Sequence, residues 1–389
     1  MTTIIRATGA HDLLALVPVL AGFLPERSIV CVAFRGARSA GVLRHDLPRR
    51  AKDRPALVSA IIGTLCRMPG VDAVVPIAYT DATFAAARGV PERGLLSMLV
   101  RRAGQAGFGV RDALCRAADG WGSLLDPDTP AAGHPLEVID ESPAARRLPA
   151  DAHTSGSPAE AGRLPAVGGT AVGVVRAELE AFDDLERSVV QFERLGHATD
   201  PVTLIETLLL GEPAGQPPLR LAWFLHLADR PAFRDAMMLQ LAFGPQIGEL
   251  AHDDAAATAS RAAEAGETVD ESVRRELDGD EADEASELLG RLLLGQTSVR
   301  PDHRRVRRAL DLVRWAAAHA PAEHRPGPLC MAAWLAWALG MGSAAGLLID
   351  QVLALAPGHT MASLLSAFIG SGALPEWAFA DPASDVSDR

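Results

Sequence analysis

Six residues in the first third of the chain have types that could do chemistry together: Asp46, Tyr79, Asp81, Asp119, Trp121 and Ser123. Carboxylates and hydroxyls supply general acids and bases, and they hydrogen-bond polar ligands. Tyr79, Thr80 and Asp81 close the apolar run DAVVPIAY, which is predicted to be a strand. In α/β sheets ligands bind beyond the carboxyl ends of strands. His45 and Asp46 close a second predicted strand, and Asp119, Trp121 and Ser123 follow a third in the segment DGWGS. Brought to one sheet edge, these side chains would make a site for acid–base work or for a polar ligand. They also have a plainer use, which the sequence favours. Asp46, Asp81 and Asp119 can cap turns, and Trp121 can fill a core gap.

Other motifs carry less. GMGSAAG at residues 340–346 resembles a dinucleotide fingerprint, but that motif needs a strand feeding a helix. The upstream CMAAWLAWAL is Ala-rich without β-branched residues, so a helix–helix turn is expected. Ser123 lies in DGWGSLL, which is not a nucleophile elbow. The sequence holds no HExxH, P-loop, EF-hand or zinc spacing, so neither a metal nor another cofactor is expected. His226 and His319 fall inside amphipathic helices and are expected to pack. Arg304, Arg305, Arg307, Arg308 and Arg314 form the densest basic cluster. They predict either a solvated helix face or a clamp onto the acidic stretch just upstream. Cys31, Cys66, Cys115 and Cys330 show no ligand spacing and are expected to be core thiols in a reducing compartment.

The elements that must position these residues follow from periodicity. Residues 11–23 have helical spacing with Pro18 inside; residues 28–34 and 40–45 predict a hairpin. Residues 53–68 predict a helix with Asp53 as N-cap, stopped by Pro69-Gly70. A strand at 72–79, a helix at 91–107 and a strand at 112–117 complete an α/β layer, whose hairpin makes the sheet mixed. Residues 126–169 are rich in Pro, Ala, Gly and Asp and predict loop or partly disordered linker. Residues 170–176 could be strand or helix. Beyond about residue 180 every ordered segment is predicted helical. The expected organisation is an α/β (mixed sheet) N-terminal domain over 1–125, a linker over 126–169, and an all-α C-terminal domain of stacked helical pairs over 170–389. An acidic disordered insert is expected at 252–287. Trp334 and Trp337, three apart, should share one buried helix face.

Charge explains the insert and excludes some functions. Residues 249–287 hold 14 Asp and Glu against 3 Arg, a balance of −11 within a total of −12. The remainder is near neutral, so there is no basic footprint for nucleic acid and no polybasic patch for a membrane. Arginine outnumbers lysine 36 to 1, a compositional bias that needs no functional reading. The start of the chain has no signal-peptide pattern. The longest apolar stretch, 329–339, is too short to span a bilayer. A cytoplasmic location is expected.

The opening of the chain supplies a resemblance. Residues 12–28 follow a DLLA-x-VP-x-L-x-GF-x-P-x-x-S pattern, then come a strand and a DLP at residues 46–48. This resembles an actinobacterial domain-of-unknown-function family (number four-one-nine-two), over roughly residues 1–136 and 219–380. The resemblance also places a Trp and a Ser at Trp121 and Ser123. It implies a cysteine pair soon after, where this chain has DPDTPAAG instead. Ala345, Ile349, Val352 and Pro357 follow, in degenerate form, the spacing of a tetratricopeptide helix. The resemblance names relatives and no reaction. Two functions remain open: a non-catalytic binding or adaptor protein with a protein partner, favoured by the helical pairs, and an enzyme or small-ligand sensor at the sheet edge.

Overall fold

The computed structural model describes residues 7–21, 23–148, 160, 162–268, 271, 275 and 284–380. The chain divides into two compact units, the first ending at Ala161 and the second beginning at Gly162.

The first unit is built on a six-stranded mixed sheet. Strand β1 (Ser28–Arg35) turns at Gly36, which takes the positive φ of 52° that the reversal needs, and returns as β2 (Arg38–Asp46). β1 also pairs antiparallel with β3 (Ala73–Tyr79). β3 then pairs in parallel with the short β4 (Gly109–Val110) and with β5 (Leu114–Arg116), and β6 (Trp121–Ser123) folds back antiparallel onto β5. Pro76 lies inside β3, where a missing N–H would ordinarily break a ladder. The parallel partner changes from β4 to β5 on either side of it, so no parallel pairing is lost there.

Both faces of the sheet are covered, which is why β1 and β3 are continuous apolar runs rather than alternating ones. Ile29, Cys31, Ala33, Val74 and Ala78 meet α2 (Arg54–Arg67) and α4 (Arg93–Gln105), which lie either side of the single-turn α3 (Phe84–Ala87) in the chain. Val30, Val32, Val75, Ile77 and Tyr79 meet α1 (Ala10–Ala21) and the short α5 (Glu137–Asp140). The predicted helices and strands of this unit therefore form, while α3, β4 and β6 are additions and part of the expected linker is ordered. β6 falls where a loop was expected, because Trp121 and its neighbours are buried against β5. Residues 134–148 were expected to be linker, yet His134 bridges Trp121 and Ile139 and Ala144 are buried. Residues 149–159 and 161 of that expected linker lie outside the described residues. Asp53 precedes α2, but its side chain makes no capping bond.

The second unit is helical: α6 (Gly169–Glu180), α7 (Leu185–Leu195), α8 (Pro201–Leu210), α9 (Pro218–Ala228), α10 (Pro231–Phe243), α11 (Pro245–Ala265), α12 (Glu284–Leu293), α13 (His303–His319), α14 (Pro326–Ala338), α15 (Gly342–Leu355) and α16 (Thr360–Gly370). GMGSAAG joins α14 to α15, so it is a helix–helix turn, with Gly340 at φ 77°.

The acidic stretch corrects an expectation. Residues 252–265 are not a disordered insert but the second half of α11. Ala251, Ala255, Thr258 and Ala262 recur at helical spacing and are buried, while Asp253 and Glu264 face outward. Alanine buries a close-packed face without the large apolar residues that the composition argument looked for. α12 joins α10 and α11 in one core cluster through Leu289 and Leu292. Residues 269–270, 272–274 and 276–283 lie outside the described residues.

A polar network crosses this unit. Gln240 of α10 donates from Nε2 to Val202 O and to Glu206 Oε1, both at 2.9 Å. Its Oε1 is thereby left to accept, from His252 Nε2 of α11 at 3.2 Å. That fixes the His252 tautomer with Nδ1 bare. Arg305 of α13 grips Glu206 with both guanidinium nitrogens and reaches Gln240 O. Among the described residues the basic cluster does not clamp the acidic stretch: Arg305 bonds to Glu206 of α8, and Arg304, Arg307 and Arg308 are exposed.

Candidate functional site

Strand register brings five residues into one row across the sheet. Asp46 of β2 lies opposite Ser28 of β1, Ser28 opposite Tyr79 of β3, Tyr79 beside Arg116 of β5, and Arg116 opposite Trp121 of β6. Partners in register share a face. The row lies at the carboxyl ends of β3 and β5, on the α1 side. Three of the six sequence candidates, Asp46, Tyr79 and Trp121, belong to it. Ser28 and Arg116 were missed, because neither closes an apolar run with a recognisable motif. Only the pairing register could have found them.

The three carboxylates do not converge. Asp46 is exposed and pairs with Arg44 at 2.5 Å. Asp81 is exposed and pairs with Arg27 at 3.6 Å. Asp119 holds the start of α3 from 35 residues away: its two oxygens accept the Phe84 and Ala85 N–H groups at 2.8 and 3.3 Å. Thr83 caps the same turn, accepting from Ala86 N at 3.0 Å. The Asp119 side chain is a helix clamp; Asp119→Asn keeps one oxygen for the Phe84 N–H and should cost less than Asp119→Ala, which loses about 1 kcal/mol, as for a removed N-cap. Urea unfolding of both variants checks this.

Ser123 is consumed by structure. Its hydroxyl donates to Asp112 and accepts the Leu125 and Asp126 N–H groups at 3.0 and 3.1 Å, closing the turn after β6. Trp121 is buried, donates from Nε1 to Pro135 O at 3.1 Å, and packs on His134 with ring centroids 4.6 Å apart. His11 of α1 approaches the same ring at 6.2 Å. Asp12 beside it is buried. Burial pushes its carboxyl up, but hydrogen bonds from Thr8 and from Ala144 N–H outweigh that and hold it below the ordinary value.

Tyr79 is the unusual member. It is 1% exposed, and its hydroxyl has no hydrogen-bond partner among the described residues; the hydroxyl of Ser28 is buried and unpartnered in the same way. Burial pushes the Tyr79 phenol well above its ordinary pKa, against the opposing pull of the Arg116 charge. The phenol therefore stays protonated and able to donate. Arg116 is half-buried, and its guanidinium makes no ion pair with any described residue.

The cysteines offer no competing site. Burial raises Cys31, Cys115 and Cys330 to about 12, which leaves inert thiols. Cys66 departs from the expected core placement. It is exposed, because the buried face of α2 runs through Val58, Ile61 and Leu65. Among the described residues no group of three or more His, Cys, Asp or Glu could hold a metal ion, and no helix is long and apolar enough to cross a membrane.

The second unit carries a different feature, on α7. Ser188, Gln191 and Leu195 are its buried face, while Leu185, Val189 and Val190 are 84%, 53% and 54% exposed. The usual arrangement for a surface helix is the reverse. The buried polar face is satisfied: Ser188 Oγ donates to Leu185 O at 2.9 Å, and Gln191 and Arg194 both bond Glu178 of α6. Those two bonds, with Arg194 leading, hold the Glu178 carboxyl below its ordinary pKa despite partial burial.

Fold and site together define a two-unit protein: a mixed α/β sheet unit with a polar row at one end, and a helical unit with an inverted surface helix. The chain belongs to the family described as Domain of unknown function (DUF4192), which it matches over residues 11–209 and 229–376. No curated protein and no solved structure matches it significantly.

Proposed function

We propose that this is a non-catalytic binding or adaptor protein of the cytoplasm that docks a protein partner on α7. The observation that supports this most is the inverted burial of that helix. Leu185, Val189 and Phe192 recur at i, i+4 and i+7, the spacing of anchors in helix-to-helix or helix-in-groove recognition. Phe192 is braced from beneath by Phe182 and Trp223, with centroids 5.7 and 5.3 Å away. Exposing such residues in contiguity costs solubility unless something covers them. Glu186 and Glu193 share the exposed face and pair with no described residue. The partner that fits is an apolar helix or extended segment carrying Lys or Arg on its flanks.

The test is a photo-crosslinking residue at position 190 of the full chain, activated in the native cell. The expected result is a crosslink to an apolar segment with basic flanks, lost when Leu185→Asp and Val189→Asp are introduced together. Both sites are exposed, so thermal stability should stay within about 1 kcal/mol of the parent. A crosslink that survives the double substitution, or one that joins only two copies of this chain, would sink the reading.

A further inference from the structure

We propose that the end of the sheet binds a small oxyanion, the carboxylate or phosphate group of a metabolite, between the Arg116 guanidinium and the Tyr79 hydroxyl. This is independent of α7 and adds a ligand to a protein whose other business is a partner.

The starting point is a cost. A buried hydroxyl without a partner destabilises a fold, and buried polar groups in native proteins are nearly always satisfied. Here two such hydroxyls, Ser28 Oγ and Tyr79 Oη, stand in adjacent strands at the same register position and on the same face. Phe and Ala would pack in those places without that cost. The hydroxyls therefore await a partner that the described protein atoms do not supply.

The neighbouring group in the row decides the sign of that partner. Arg116 sits beside Tyr79 in the parallel pairing, and its charge acts on the Tyr79 phenol. A guanidinium can only donate, and a protonated phenol beside it donates as well. Two donors at neighbouring positions of one row, one of them permanently positive, suit an oxyanion and not a cation. The carboxylates nearby do not oppose it: Asp46 and Asp81 are exposed and held by Arg44 and Arg27. Arg27 itself precedes Ser28 with a φ of +42°, a strained backbone for a residue with a Cβ. The position also agrees with the general placement of ligands beyond the carboxyl ends of parallel strands, here β3 and β5.

Differential scanning calorimetry of the full chain tests this, in sodium chloride, phosphate and acetate at equal ionic strength. The expected result is a higher Tm in phosphate or in acetate than in chloride. Phosphate alone would indicate a phosphate-bearing ligand, and acetate alone a carboxylate. Arg116→Met should abolish the anion-dependent shift, and Arg116→Lys should retain part of it. Tyr79→Phe is the decisive variant. It should lose most of the shift while its Tm in chloride stays equal to or above the parent's, because an unsatisfied hydroxyl has been removed. A lower Tm of Tyr79→Phe in chloride would show that the hydroxyl has a structural bond, to water for example, and would overturn the proposal. So would an anion shift that persists in both Arg116→Met and Tyr79→Phe, which marks a general salt effect, or no shift at all in the parent.

Discussion

Replacing Trp337 with alanine is expected to destabilise the second unit by about 3–5 kcal/mol, the cost of emptying a packed aromatic site. The indole is 1% exposed and packs on Trp334, Phe368 and Trp377, with centroids 6.2, 5.1 and 5.8 Å away. Its Nε1 donates to Ala373 O at 2.8 Å, so truncation also strands a carbonyl. The chain has no slack to refill the space. Gly295, at φ +67°, passes so close that a Cβ there would stand 2.5 Å from the ring. Trp334, whose Nε1 donates to Leu293 O at 2.8 Å, should behave alike. Chemical denaturation of Trp334→Ala and Trp337→Ala measures both. A loss below about 1 kcal/mol would mean the ring lies on a surface.

Acid should weaken the same unit well before carboxylates are exhausted. Burial lowers His252 to about 4, with Asp200 and Asp253 pulling the other way. Burial, then Arg230, lowers His226 to about 4, against Asp183. In the unfolded chain each would titrate near 6.5. Between those values the unfolded state binds protons that the folded state refuses, so stability falls as pH drops. The contribution is whole above pH 6.5, shrinks steadily from there, and stops changing below about 4. For His252 that span is worth roughly 3 kcal/mol; His226, less fully enclosed, contributes less because solvent screens it. His252 has a specific reason to resist: Gln240 fixes its tautomer, and its bare Nδ1 is buried without a partner, so an added proton would have nowhere to bond. Comparing stability from pH 7.5 to 4 in the parent, His252→Gln and His226→Gln checks this. The parent should show the steepest decline and each variant a flatter one. Equal slopes would place both imidazoles in contact with water.

Much of the architecture was legible from periodicity. The hairpin, β3, the helices either side of it and nearly every helix of the second unit follow from apolar spacing and from Gly and Pro stops, because those signals are local. α11 shows where that reading fails. Its charge suggested disorder, but its alanines needed only the α10 face beside them to bury a stripe. β6 shows the same thing for strands: three residues, WGS, carry no period of their own, and β5 makes them a strand.

The functional row divides along the same line. Tyr79 and Trp121 were visible as an aromatic at a strand end and an aromatic among glycines, and their residue types alone suggested a polar site or core filling. The sequence also determined, through its charge and its lack of phosphate- and metal-binding motifs, which chemistries to set aside. Tertiary structure decided the rest. It separated Asp46, Asp81 and Asp119, giving each a partner of its own, and it set Ser28 and Arg116 beside Tyr79. Those neighbours come from strands β1, β3 and β5, far apart along the chain. Hydrogen-bonded register, fixed by which faces are buried, places them together, and no local pattern encodes that. It also turned the apolar face of α7 outward, because the buried Gln191, bonded with Arg194 to Glu178 of α6, claimed the other side.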